Sequence, residues 1–312
     1  MDMHVLRLDD SKDPARILAQ APSVSGSYVT VGVFDGVHRG HQRLITDMAK
    51  SAHTTGNAAV VLTFDPHPAT VLGYDPPPAL TTVEERTRLL AELTLDLLVV
   101  LPFTTSLAHT SAQDFVQLLD RFFHLVELWG GPDIAFGHRR EGDIPFLRRL
   151  GVESGFAVRI VEPVVWQGEV VNSSRVRAAL RAGDIAEATG CLGRPYRLAG
   201  TVLVSQQGIG EGHGATVQLA IPPDRLAPAR GAYAGTAQVD GVGTCQALVS
   251  IGEAMAPGAP LPGKQAEGTP VTVEVRLLDC DVGSDDLANR ELTLDFTARL
   301  QDGAYSPRIS KE

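Results

Sequence analysis

The stretch YVTVGVFDGVHRGH, from Tyr28 to His41, is where the fold of this chain can be read. Its first half, Tyr28–Phe34, is an apolar, β-branched run that predicts a buried strand. Gly32 and Gly36 let the backbone approach a ligand closely, and Gly40–Ala52 reads as a helix after a short loop. His38 and His41 fall three apart at that helix start, so both face whatever sits at its positive end. Unpaired backbone N–H groups there favour a polyphosphate, and two imidazoles beside them can donate to its oxygens as charge accumulates in a transition state. Zinc is a competing reading of His-x-x-His. Zinc hydrolases, however, use His-Glu-x-x-His inside a helix, and here the spacing of four and the glutamate base are both missing. Ligand-free core histidines are the other alternative.

Working outward, the same alternation continues. Ala58–Phe64, Leu95–Pro102 and Ala157–Pro163 read as strands; Val83–Leu93 and Ala112–Leu125, with Ser111 as cap, read as helices. Strands alternating with helices predict an α/β, Rossmann-like domain with a mostly parallel sheet, its ligands beyond the carboxyl ends of the strands. Ser173–Leu180 and Ile185–Gly190, the latter capped by Asp184, are two short helices. After Gly193-Arg194-Pro195 the texture changes to short strands: Leu198–Val204, Ala215–Ala220, Gly231–Val239, Ala247–Ile251, Val271–Leu278 and Glu291–Ala298. Runs of strands without long helices predict a small β barrel. The expected division is therefore 1–187 and 188–312, with Ala256–Gly268 as a proline-bearing connector.

At 312 residues both domains can bury a core. A formal charge of −10 argues against nucleic acid as a main partner, since phosphate-backbone binding needs a basic surface. It leaves room for small anionic ligands held by local arginines. No apolar run reaches the roughly 18 to 20 residues that cross a bilayer. The N-terminal Met1-Asp2-Met3-His4 lacks the pattern of a secretory signal, so the cytoplasm is expected. Cys191, Cys245 and Cys280 have no metal-type spacing and are expected to be reduced, buried thiols.

The sequence resembles the nucleotidylyltransferase superfamily and, within it, the prokaryotic bifunctional riboflavin kinase/FAD synthetases. The first carrier is Gly32-Val33-Phe34-Asp35-Gly36-Val37-His38-Arg39-Gly40-His41. Three more follow in the family's order: Thr63-Phe64-Asp65-Pro66-His67-Pro68, then Phe136-Gly137-His138-Arg139-Arg140-Glu141-Gly142-Asp143, then Val171-Asn172-Ser173-Ser174-Arg175-Val176-Arg177. Leu192-Gly193-Arg194-Pro195-Tyr196 extends the match, which is strong to about Gly200 and weak beyond. The resemblance implies transfer of AMP from ATP to FMN, giving FAD and pyrophosphate, with Mg²⁺ bound mainly by the phosphates. It makes His38, His41 and Arg177 catalytic, and Gly32, Phe34, Asp35, Gly40, Ser173 and Ser174 nucleotide-binding, with no metal site of the protein's own. Asp65, Pro66, His67 and Asp133 are flavin-side candidates; a plain strand-to-loop turn and a loop cap are their alternatives. Arg139 and Arg140 either reach phosphate or form a solvated cluster with Glu141 and Asp143.

Departures from the family pattern bear on the acceptor. Val170 stands where an arginine is common, and Trp129–Ala135 lacks the usual aromatic at Ile134 and polar residue at Ala135. In the barrel, the family's Gly-Phe-Pro-Thr-Ala-Asn is matched by His213-Gly214-Ala215-Thr216-Val217-Gln218. Thr216 and Glu274, the family's catalytic base, survive; the proline and asparagine do not. Gln218 is a methylene longer than Asn and misses the strict distances of a Mg²⁺ site. The resemblance thus implies a degenerate riboflavin kinase module. The alternatives are nucleotidyl transfer to another phosphate-bearing acceptor and a non-catalytic flavin- or nucleotide-binding regulator. The Gly208–Gly212 stretch lacks the glycine spacing of a dinucleotide fingerprint.

Overall fold

The computed structural model describes residues 4–7, 14–207, 215–253, 263–264, 270–278, 280 and 287–300. The Gly208–Gly212 stretch, His213, Gly214 and most of the Ala256–Gly268 connector lie outside them. Two compact units emerge, one of residues 1–77 and 83–171, the other of residues 78–82 and 172–312.

The first unit is built on strands β1 (His4–Arg7), β2 (Ser27–Val31), β3 (Ala58–Asp65), β4 (Leu97–Pro102), β5 (Leu125–Gly130) and β6 (Ala157–Ile160). They form one sheet in the order β1-β4-β3-β2-β5-β6, every pairing parallel. Both faces are covered, which is why the central strands are apolar without alternation. Val60 and Leu62 of β3, with Val99 of β4, face α1 (Pro14–Leu18) and later helices of this unit; Ala59 and Val61 face α2 (Arg39–Thr54). On α2 the buried positions Leu44, Ile45, Met48, Ala49 and Ala52 recur at helical spacing and make its inner stripe.

Short α3 (Pro68–Val71) and α4 (Val83–Ala91) follow β3; α5 (Thr105–His109), α6 (Ala112–Phe123) and α7 (Ile144–Ser154) follow β4 and β5. A hairpin of β7 (Val165–Trp166) and β8 (Glu169–Val170) ends the unit. From β2 the chain proceeds one way through β3 and β4, and the other way through β5 and β6. The strand order therefore reverses between β2 and β5, and loops leaving their carboxyl ends diverge to open a crevice.

Several expectations are corrected here. The strand read as Tyr28–Phe34 ends at Val31, because Phe34 already has left-handed φ. The helix read as Ala112–Leu125 stops at Phe123, where His124 adopts an αL conformation and feeds directly into β5. No strand was expected at β5 and no helix at α7.

The second unit holds α8 (Ser173–Ala182), α9 (Ile185–Leu192) and strands β9 (Tyr196–Gln207), β10 (Ala215–Ala220), β11 (Gly231–Val239), β12 (Gly243–Glu253), β13 (Gly263–Lys264), β14 (Pro270–Leu278) and β15 (Glu291–Arg299). The order β10-β9-β15-β11-β12-β14 closes on itself through an antiparallel β10–β14 pairing, a six-stranded barrel with β13 added to β14. Inward residues alternate along each strand, as Ala215, Val217 and Leu219 do on β10. Tyr233 packs edge-on to Phe296 inside, and the buried Tyr196 hydroxyl donates to the Leu226 carbonyl at 2.6 Å. At Gly235, beside the register shift between β11 and β15, a Cβ would strike the Asp295 carbonyl oxygen.

The units divide at Val171/Asn172, whereas the sequence texture put the change at 187/188; α8 packs on α9, and α9 on β9 and β15. Cys245 and Cys280, expected to be separate thiols, are joined as a disulfide with Cα atoms 5.9 Å apart. The register that sets Gln246 opposite Leu278 brings the two cysteines together, a proximity invisible in their sequence separation. Cys191 is a buried free thiol.

Candidate active site

The site grows out of the carboxyl end of β2. Gly32 N–H still donates to the Leu62 carbonyl at 3.1 Å, continuing the β2–β3 ladder one step. A Cβ on Gly32 would lie 2.9 Å from the tip of the Phe34 ring, so only hydrogen fits there. The backbone then turns through Phe34 (φ 52°), Gly36 (φ 79°) and Val37 (φ 38°). Left-handed φ on two non-glycine residues, one β-branched, costs on the order of 1–3 kcal/mol each and persists only where the surroundings over-determine it. They do so here. Phe34 and Val37 are buried, the Thr63 hydroxyl and Arg86 both donate to the Val33 carbonyl at 3.0 Å, and Gln42 donates to the Val37 carbonyl at 2.8 Å.

His38 is the N-cap of α2. Its Nδ1 accepts from the His41 N–H at 3.4 Å, which leaves the proton of the neutral ring on Nε2. The two imidazoles stack at 3.6 Å, and the Phe34 ring meets His41 edge-on at 5.1 Å. Gly40 permits this: a Cβ there would lie 3.0 Å from His38 Cε1 and 3.1 Å from its Nδ1. Part of His41 stays open, yet its Nδ1 is enclosed and has no hydrogen-bond partner among the described residues. Burial first, then the neighbouring His38 and Arg86, hold the His41 pKa well below the usual histidine value. At neutral pH this is a neutral ring at the positive mouth of a 16-residue helix, a place where an incoming polyanion is favoured and its arrival promotes protonation.

Around this core lie residues the sequence reading did not single out. Arg86, on α4, is 5% exposed and donates through Nη1 to Val33 and through Nη2 to the Phe64 carbonyl at 2.8 Å. A signal existed: Arg86 and Leu90 are four apart, which puts the arginine on the inward stripe of its helix. Arg7 pairs with Asp65 at 3.2 Å and with Glu84 at 2.5 Å, so Asp65 takes part in an ion-pair chain at the end of β3. Asp35 is buried in the loop. His67 caps α3 by accepting from the Ala69 N–H at 3.1 Å, and Pro66 between them is exposed.

Asp133 is exposed in the loop after β5, its carbonyl accepting from Arg140 at 3.0 Å. Arg139 and Arg140 are exposed, while the carboxylates beside them cap helices: Glu141 accepts from the Ala112 N–H at 2.9 Å and Asp143 from the Phe146 N–H at 2.9 Å. In the second unit, Asn172 caps α8 by accepting from the Arg175 N–H at 2.8 Å, with Ser173 half-buried and Ser174 exposed in the first turn. Arg177 is buried and donates through Nε to the Pro78 carbonyl at 2.8 Å.

Comparison with known proteins places the chain in a family. A family model described as FAD synthetase matches residues 20–175, and one described as riboflavin kinase matches 192–307. The bifunctional riboflavin kinase/FMN adenylyltransferase of Escherichia coli K12 is 32% identical over 271 residues, 84% of this chain and 81% of its own. That of Pseudomonas fluorescens is 32% identical over 282 residues, 90% and 86% of the two chains. The chain belongs to the bifunctional riboflavin kinase/FMN adenylyltransferase family. A solved Streptococcus pneumoniae structure, described as a macrolide-efflux protein, has a TM-score of 0.76 at 24% identity and covers 93% of this chain and 90% of its own; it shares the fold.

The barrel positions that the resemblance matched to a kinase site lie close together. Gln218 of β10 sits opposite Glu274 of β14, Thr216 opposite Arg276, and Ser250 of β12 flanks Glu274 on its other side. Paired residues share a face, so Thr216, Gln218, Ser250 and Glu274 line one patch of the outer barrel wall, away from inward-facing Val217 and Val275.

Proposed function

We propose that this chain transfers the AMP moiety of ATP to the phosphate of FMN, and that its barrel no longer phosphorylates riboflavin. An FMN phosphate oxygen attacks the α-phosphorus, the bond from that phosphorus to the bridging oxygen breaks, and pyrophosphate departs as FAD forms. No protein nucleophile is needed; the chain's part is positioning and charge stabilisation. The observation that carries this reading is the stacked His38–His41 pair at the mouth of α2, with the His38 proton assigned to Nε2 by its own cap bond. A donor there can follow charge onto the leaving diphosphate, while Gly32, Phe34, Asp35 and Gly40 shape the surrounding wall. Asp65, Pro66, His67 and Asp133 end or follow β3 and β5, on the carboxyl side where an acceptor flavin would enter.

Mg²⁺ accompanies the nucleotide. Such an ion is coordinated mainly by phosphate oxygens and water, the usual arrangement for Mg²⁺ bound with a nucleotide. In the barrel, Glu274 and Thr216 keep their chemistry, but Ala215 and Gln218 replace the proline and asparagine of the family's metal and phosphate cradle. A base without that cradle cannot organise phosphoryl transfer. Among the described residues no helix is long and apolar enough to cross a membrane, and a dependence on ATP favours the cytoplasm.

The test is purified protein with ATP and Mg²⁺, offered FMN or riboflavin, with pyrophosphate and flavins measured. FAD and pyrophosphate in equal amounts from FMN, and no FMN or FAD from riboflavin, are expected. Absence of pyrophosphate with FMN would overturn the transferase reading. FMN formed from riboflavin would overturn the loss of the kinase.

A further inference from the structure

Arg86 is the most enclosed cation among the described residues of the first unit, and the transfer mechanism above leaves it unused. Its guanidinium bridges two carbonyls on neighbouring strands, Val33 just beyond β2 and Phe64 near the end of β3, while Nε has no hydrogen-bond partner among the described residues. Removing a guanidinium from water costs several kcal/mol, and a neutral amide could tie two carbonyls without that penalty. The anchoring point is also particular. Val33 is the last residue before the left-handed turn, so fixing its carbonyl fixes the direction in which Phe34, His38 and His41 leave the sheet.

We propose that Arg86 is a positioning residue for nucleotidyl transfer, locking the loop between β2 and α2 through the Val33 carbonyl and setting a permanent positive charge behind the histidine pair. Two consequences follow from its place. First, the strained loop keeps its conformation without substrate, so the imidazoles are pre-arranged. Second, the charge adds to burial and to the neighbouring His38 in disfavouring the His41 imidazolium until a triphosphate is present. The Arg86 charge is in turn favoured by Asp35, Asp65 and Glu84 and opposed by Arg7 and by its burial. The inference rests on the site being a nucleotidyltransferase.

The experiment compares wild type, Arg86→Lys and Arg86→Gln for FAD formation across pH, with unfolding midpoints measured alongside. Wild-type inactivity would refute the transferase reading itself, a result separate from those below. In an active background, Arg86→Gln should lower kcat by about 30- to 100-fold, the scale of a misplaced reacting geometry. The KM for ATP should move far less, and the alkaline limb of the kcat profile, where the His41 imidazolium is lost, should shift to higher pH. Arg86→Lys keeps the charge but cannot bridge both carbonyls with a planar fork, so its kcat falls while its alkaline limb stays at the wild-type position. A merely structural arginine would lower stability in both variants and leave both limbs in place; that pattern, or an unchanged kcat in folded Arg86→Gln, overturns the proposal. Should Arg86→Gln fail to fold, Arg86→Lys decides. A drop of about tenfold in kcat at an unchanged unfolding midpoint and an unchanged KM for ATP supports the lock; wild-type kcat, or a loss of kcat only alongside a loss of stability, refutes it.

Discussion

Replacing Gly40 by alanine should separate the stability of α2 from the geometry of its histidines. Gly40 lies in the first turn of α2, and a methyl group there would sit 3.0 Å from His38 Cε1, 3.1 Å from Nδ1 and 3.6 Å from the Val171 carbonyl oxygen. Comfortable carbon contacts lie at about 3.5–4.0 Å, so the imidazole must retreat by roughly half an ångström. Its cap bond to the His41 N–H, already 3.4 Å long, does not survive that shift. On stability the effects oppose each other. Alanine gains up to about 1 kcal/mol over glycine in a helix, less in the first turn. Losing a cap costs about 1 kcal/mol. The net change should be within about 1 kcal/mol, with no collapse of the fold.

The effect on the reaction is one-sided. A donor displaced by roughly half an ångström from its place beside the departing diphosphate should lower kcat by about tenfold or more, given about a hundredfold for a full ångström. Pyrophosphate release with saturating ATP and FMN measures the rate, and urea unfolding measures the stability. A folded Gly40→Ala protein with kcat within about twofold of wild type would refute the claim that the position of the His38 ring controls the chemistry.

Two further expectations use the same histidines. His38→Asn keeps a side-chain acceptor for the His41 N–H but removes the Nε2 donor; stability should hold while kcat falls by about 100- to 1,000-fold, and retention of rate would remove His38 from the transition state. The His41 pKa is depressed in the folded protein, so the unfolded chain binds more protons below the ordinary value of about 6.5. The associated stability is complete above that value and declines as pH falls from it toward the folded pKa. Comparing urea midpoints at pH 7.5 and 5.5, His41→Gln should show a smaller drop than wild type; an identical drop would show that His41 is not the proton-linked group.

Much of the architecture is legible without coordinates, because it depends on local patterns. Apolar runs such as Ala58–Phe64 declare a doubly covered strand, Ser111 and Asp184 announce helix starts, and Gly231–Val239 alternates as a barrel strand must. The ten residues from Gly32 to His41 likewise predict two histidines at a helix mouth, where the structure has them, since glycine spacing and histidine pairing are sequence properties. β5 escapes because no glycine or proline separates it from α6; His124 makes the turn by adopting a left-handed conformation that its sequence does not advertise.

What only the tertiary structure decides is which distant groups meet. The pairing of Cys245 with Cys280 follows from the register of β12 on β14. The capping roles of Glu141 and Asp143 follow from where α6 and α7 begin, in a segment whose charges read equally well as a surface cluster. Arg86 reaches Val33 and Phe64 across 53 and 22 residues of chain, and only the docking of α4 against the sheet makes it a neighbour of the histidines. Periodicity and caps act over a few residues and are written in the chain's order. Long-range hydrogen bonds depend on packing: a local pattern can put Arg86 on the inward stripe of its helix, but it does not name the carbonyls the arginine will meet.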